Sequence, residues 1–209
     1  HTVVTNFEHA VKVARTIRRK ISEEAYDFVH RCCGSYEVQK ADAIYRFVQE
    51  GLRMGRAVMS HLTAPYMQTL YAIERNFTNE SHFFIEILRF EELENGTLFG
   101  RINPKSEVLP YLADHFADRF AGEQWVIADT VHRTVLLHKA NYKTVYLSMD
   151  EVDMDELALT YSEDEKQLQK LWKLFVDTIA IKERVNPKLQ RQMLPLRFRK
   201  YMKEFSETE

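Results

Sequence analysis

The 209 residues carry 29 Lys and Arg against 31 Asp and Glu, a formal net charge of -2, which argues against an all-over basic coat for nucleic acid and suits one domain or two small ones. The two cysteines are adjacent at Cys32 and Cys33, a placement that rarely chelates one metal or closes an unstrained disulfide, so they read as a reduced pair with no metal or cofactor attached. No apolar run is long enough to cross a bilayer and no leader pattern is visible, so the expected protein is soluble and cytoplasmic, with no membrane partner.

In chain order, Thr5-x-x-Glu8 is a capping-box pattern, and Phe7, Ala10, Val11, Ala14, Ile17 and Ile21 follow at helical spacing, predicting a helix over about 6–20. Arg15, Arg18, Arg19 and Lys20 complement the C-terminal end of its dipole. Ser22 caps a second helix that buries Ala25, Phe28, Val29 and Cys32 and stops at Gly34. A third is expected over about 38–54, with Ala41, Ile44, Tyr45, Val48 and Leu52 on one face. Pro65 suits the first turn of a fourth helix that continues to about Glu80.

After Asn79 the pattern changes to β-rich runs: FFIEILRF, TLFGRI, WVIAD, TVLLH and KTVYLS. Asn95-Gly96, Asp129 to Arg133 and Asn141-Tyr142 supply hairpin connections between them. One helix, over about 107–121, lies between the second and third strands and ends at Gly122. The expected fold class is α+β: a mostly antiparallel sheet of about five strands with an inserted helix, in a single domain. Its helical part covers 1–80, its sheet part 81–149, and an acidic linker, helix and basic segment cover 150–209.

Ser162-x-x-Glu165 is a second capping box, opening a helix with Leu168, Trp172, Phe175 and Ile179 along one stripe. Asn186-Pro187 breaks that helix, and Pro195 punctuates the remainder into two short helical pieces. The expected result is a kinked, partly exposed appendage anchored by the stripe before it. Acidic clusters between Asp150 and Glu165, DEVDMDE and SEDE, precede it as a solvated linker and helix start.

From Ile181 to Tyr201 the chain then concentrates Lys182, Arg184, Lys188, Arg191, Arg197, Arg199 and Lys200 against the single acid Glu183, interleaved with Phe198 and Tyr201. Cations that meet phosphates and rings that stack on bases suit a polyanion such as DNA. Arg184, Lys188, Arg191, Arg197, Arg199 and Lys200 are the candidate phosphate contacts, with Asn186 and Gln190 available for hydrogen bonding.

RVNPKLQRQMLPLRFRKYM resembles the close of an uncharacterised bacterial family labelled probable DNA metabolism protein. ESHFFIEILRFEEL with GTLFGRINPKSEVLPYLADHFADRF, and QWVIADTVHR, resemble it as well. The resemblance runs over nearly the whole chain. It implies company with a putative DNA-modification or repair radical-SAM protein, and in many members fusion to a uracil-DNA glycosylase domain. No glycosylase domain lies within these residues, so none of its catalysis carries over. The opening HTVV reads as the tail of an earlier segment that similar proteins possess.

A second candidate site comes from phase. Wound at 100° per residue, the inserted helix sets Val108, Leu109, Leu112, Phe116 and Phe120 on one stripe, with Arg119 among them and His115 at its edge. A buried arginine needs a partner, and Asp129 shares a strand face with Trp125 and Ile127, while Arg89 shares one with Ile85 and Ile87. Arg89, His115, Arg119, Asp129 and Arg133 are therefore candidates either for a structural ion pair or for a polar pocket that accepts a nucleotide or a flipped base. There is no GxGxxG, P-loop, G-x-S-x-G, HExxH or CxxxCxxC spacing, so no template reaction is legible. Three functions follow as expectations: an accessory or DNA-binding module, an enzyme acting on a nucleobase or nucleotide, and a protein-protein adaptor.

Overall fold

In the first helix, α1 (Phe7–Lys20), the N-cap is Asn6, whose side chain accepts a hydrogen bond from the His9 amide. A computed structural model describes residues 6–151, 160–181 and 184–205. Thr5 of the expected capping box, the acidic run beyond Glu151, and Lys182 and Glu183 lie outside the described residues. The fold is α+β, and the chain divides into two units, residues 1–82 with 105–108 and residues 83–104 with 109–209.

The first unit is a cluster of helices. Ser22 caps α2 (Glu23–Gly34) by accepting from the Ala25 amide, and Ala25, Phe28, Val29 and Cys32 are buried, as their spacing predicts. The Cys32 thiol is pushed up to about 12, first by burial, which disfavours the reactive thiolate. In α3 (Lys40–Met54) the buried side is Ala43, Phe47 and Gly51, while Tyr45 and Leu52 are exposed. The expected face was therefore rotated. Phe47 fills that side against Phe28, and Gly51 lets the helix lie against Ile21, since a Cβ there would lie 2.4 Å from the Ile21 side chain.

α4 (Pro65–Ile87) runs past the expected end at Glu80 and takes up most of FFIEILRF. A short apolar run suits helix and strand alike, and no glycine or proline between Pro65 and Gly96 stops the helix at Glu80. Within the first unit the Glu80 carboxylate is buried and accepts from the amides of Lys105 and Ser106, at 3.0 and 3.1 Å.

The second unit is built on a five-stranded sheet in the order β1 (Phe90–Glu92), β2 (Leu98–Ile102), β3 (Trp125–Asp129), β4 (Thr134–His138), β5 (Val145–Ser148). Three pairings are antiparallel. The β2–β3 pair is parallel and needs a crossover, which α5 (Leu109–Arg119) supplies. Gly96, Arg133 and Asn141 have positive φ and fall in the three expected turns.

Strand alternation separates the two faces. Phe90 and Trp125 meet each other and Phe116 of α5, and Phe90 also meets Phe120 just beyond that helix, in an aromatic cluster. On the opposite face Phe99, Val126, Ala128 and Val135 form a core with Leu93, flanked by Met149 and Tyr161. Ser162 caps α6 (Glu163–Ile179) through the Glu165 amide, as expected. Asn186 caps α7 (Pro187–Met193), and a 3-10 turn follows over Leu196–Tyr201 beyond Pro195. No helix among the described residues is long and apolar enough to cross a membrane.

Candidate nucleic-acid interface

Proline explains the shape of the C-terminal segment. Pro187 opens α7, where its missing N–H is harmless, and Pro195 separates α7 from the turn that carries the second group of cations. Arg184, Lys188, Gln190, Arg191, Arg197 and Lys200 are all exposed. None of Arg184, Lys188, Arg191 and Lys200 is ion-paired with a carboxylate among the described residues. Lys200 Nζ lies 5.0 Å from the Tyr201 ring centroid, and the Arg197 guanidinium lies 4.2 Å from that of Phe198.

Two of the expected contacts serve the fold instead. Asn186 uses its side-chain oxygen to accept from the Leu189 amide at 3.1 Å, which leaves only its NH2 group for a ligand. Arg199 is half-buried: its Nε donates to the Leu194 carbonyl at 3.0 Å, and its guanidinium lies 4.4 Å from the Phe205 ring centroid. It pins the turn against the segment before it, because its stem leaves the chain beside the buried Phe198 and Met202.

The anchor of this appendage also differs from the expected one. Leu168, Phe175 and Ile179 of α6 are 60%, 52% and 57% exposed. Periodicity says that they share a face, not that anything covers it. Anchoring comes from Phe198, whose ring stacks on Phe83 at 4.1 Å and meets Phe84 edge-on at 5.2 Å. Asn103 adds a hydrogen bond from Nδ2 to the Arg197 carbonyl, and the Tyr201 hydroxyl lies 3.0 Å from that of Thr130.

Next to this segment lies a buried polar cluster that sequence reasoning missed. Glu91 receives Arg101 at 3.2 Å, the Tyr161 hydroxyl at 2.8 Å and the Lys203 ammonium. Arg101 also donates to the Tyr161 oxygen at 2.9 Å. Burial pushes the Tyr161 phenol up to about 12, reinforced by its hydrogen bond to Glu91. The available signal was phase: Glu91 pairs with Phe99 across β1 and β2, and Arg101 lies two residues along the same face.

The second set of candidates is dispersed. Arg119 is exposed in the last turn of α5 with its guanidinium 5.6 Å from the Phe120 ring centroid, and it does not pair with Asp129. The apolar phase holds for Leu109, Leu112 and Phe116, but at the helix end the long side chain reaches water and complements the dipole. Asp129 is fully buried, as is every residue of β3, and its carboxylate accepts from the amides of Val131 and His132 and sits 2.7 Å from His132 Nδ1. His115 is half-buried, with its ring edge-on to Phe116. Arg133 pairs with Asp150 at 2.6 Å, both exposed.

Arg89 follows α4 rather than sitting inside a strand, because the helix overruns the expected boundary. It lies 5.4 Å from the Trp172 ring centroid and 3.8 Å from Glu204, in a pocket of about 250 Å³ that Lys203 and Glu165 also line.

These placements have a measurable consequence. Arg119→Ala is expected to change the unfolding free energy by no more than about 0.5 kcal/mol, as for other solvated positions. Asp129→Ala should cost on the order of 3 kcal/mol, because two amides and His132 lose their acceptor in a dry site. Urea unfolding of both single variants and the double variant checks this, and the two effects should add. A coupling above about 1 kcal/mol would restore the Arg119–Asp129 pair.

Residues 38–204 match the profile of a family described as a domain of unknown function, DUF4130. No curated protein and no solved structure matches the chain.

Proposed function

We propose that this chain, which belongs to the DUF4130 family, is an accessory nucleic-acid-binding module of DNA repair or modification. The observation that carries the reading is the C-terminal segment, where Arg184, Lys188, Arg191 and Lys200 are exposed and unmatched by any described carboxylate in a chain of net charge -2. Positive charge gathered in one place on a near-neutral protein supports local rather than diffuse contact with a polyanion. The sequence resemblance extends the proposal to a radical-SAM protein as working partner, and to a uracil-DNA glycosylase domain where family members carry one.

A protein-protein adaptor is the second reading, favoured by one observation. The exposed stripe of Leu168, Leu171, Phe175 and Ile179 is a large apolar surface for a single helix to leave uncovered.

Binding of a labelled oligonucleotide across a salt series separates the two. Each phosphate contact contributes about 0.9 to the slope of log affinity against log salt on duplex DNA. Reversing Lys188, Arg191, Arg197 and Lys200 to glutamate should therefore flatten the slope by about 3.6 if all four meet phosphate, and weaken binding by about three orders of magnitude at low salt. Arg199 is left out because its loss would disturb the fold. A folded quadruple variant with unchanged affinity and slope removes the nucleic-acid reading and leaves the adaptor.

A further inference from the structure

Helix α6 meets the rest of its unit with its polar side. Glu165, Gln169, Lys173 and Val176, at helical spacing, are half-buried, and Glu165 accepts from the Glu92 amide of β1 at 3.3 Å. Leu168, Leu171, Leu174, Phe175 and Ile179 occupy the opposite side, each more than half exposed. An amphipathic helix turns its apolar stripe towards a partner surface, and so much apolar area on one helix marks a contact that the described residues do not make. Charge is divided along the same helix. Glu163, Asp164 and Glu165 stand in its first turn, while Arg184 follows shortly after its last. Asp164 and Arg184 are both exposed, and neither is ion-paired among the described residues.

We propose that this stripe packs against the same stripe of a second copy of the chain, with the two α6 helices antiparallel. An isologous contact must be self-complementary, and this surface is: apolar in the middle, acidic at one end and cationic just beyond the other. Setting Leu168 against Ile179 of the second copy centres the stripes on each other. The same register brings Asp164 beside the stretch that carries Arg184, and two-fold symmetry repeats the contact at the other end. A parallel pair would instead set acid against acid, cation against cation, and the two helix dipoles in the same direction. Size decides the strength. A 17-residue helix is about 25 Å long, and a single helix pair of that length falls short of the about 800 Å² per partner of a standard interface. The dimer is therefore weak and reversible, in the micromolar range. The proposal rests on the surface that favours the adaptor reading, and on no residue reversed in the oligonucleotide test, so it and the nucleic-acid reading can fail separately.

Sedimentation equilibrium of the purified protein from micromolar to millimolar concentration should show a reversible monomer–dimer equilibrium. Leu171→Glu with Phe175→Glu should keep the protein monomeric throughout, without lowering the melting temperature measured at a dilution where the wild type is itself monomeric. Asp164→Lys should weaken the dimer roughly fivefold, and Arg184→Glu added to it should restore the wild-type affinity. In a Cys33→Ser background, which removes the exposed thiol and leaves the buried Cys32, Leu168→Cys and Ile179→Cys should join by a disulfide when the two variants are mixed. Neither should cross-link by itself. A wild type that stays monomeric to millimolar concentration overturns the proposal, and so does a dimer that survives the Leu171 and Phe175 changes. A double variant with a lowered melting temperature at that dilution would mean that the face is covered within one copy, which overturns it as well. Cross-linking of Leu168→Cys alone would make the pair parallel and overturn the antiparallel arrangement.

Discussion

Glu91→Ala is expected to destabilise the protein by on the order of 3 kcal/mol, because a buried carboxylate that holds two cations cannot be removed without leaving both uncompensated. The Glu91 side chain is 8% exposed, against 32% for Arg101 and 28% for Lys203. Those partners keep some access to water, which places the cost towards the lower end of the range for broken buried pairs. A double-mutant cycle between Glu91 and Arg101 should return a coupling above 1 kcal/mol, and a value near zero would make the cluster an ordinary surface pair. The phenol gives a second readout. Tyr161 is pushed up to about 12 by burial and then by Glu91, so Glu91→Gln should lower its titration midpoint without returning it fully to the ordinary value near 10. A phenol that titrates higher in the fold stabilises it fully below pH 10 and loses that contribution as pH rises from about 10 to about 12. Absorbance titration of the wild type and Glu91→Gln, alongside their stability from pH 9 to 12, reads both effects.

Phe198→Ala should cost about 3 to 5 kcal/mol if the whole second unit feels it, the usual range for emptying a buried phenylalanine site. Phe198 is 6% exposed and fills the space beside Phe83 and Phe84. The loss need not be global, since the segment it anchors is short and lies near the end of the described residues. Local release would appear as faster amide exchange and new protease cleavage after Arg197, Arg199 or Lys200 while the main unfolding transition moves little. If the proposed nucleic-acid binding holds, both outcomes weaken it, because the cations on either side of Phe198 lose their fixed positions. Phe198→Leu should recover most of the stability. Unchanged exchange and unchanged unfolding in Phe198→Ala would mean that the segment is held elsewhere.

Local chemistry made much of this protein readable from its residues. Ser22 and Ser162 each stand before a helix and each caps it, since an N-cap needs only an oxygen within reach of amides two or three residues on. Turn positions behaved likewise at Gly96 and Asn141, where a left-handed residue is a property of the turn itself. The buried face of α2 followed from its periodicity, whereas β3 is buried on both faces, so the burial of Asp129 does not depend on strand phase.

Tertiary structure decided what each surface meets. Both α2 and α6 show an apolar stripe, but one is buried and the other exposed, because a stripe records a preference and the rest of the chain supplies the cover. Arg119 fell outside its apolar context because the helix ends there, and a long flexible side chain at a terminus reaches water at little cost. Glu91 and Arg101 share a hairpin face, but Tyr161 and Lys203 lie much farther along the chain, so nothing local announces that they join the cluster. The residues themselves determined the caps, the turns, the α+β class and the gathering of positive charge near Arg191. Which charges stay free, which are buried in pairs, and which apolar stripe is left uncovered depended on the packing of distant segments, because desolvation and pairing are properties of what surrounds a side chain.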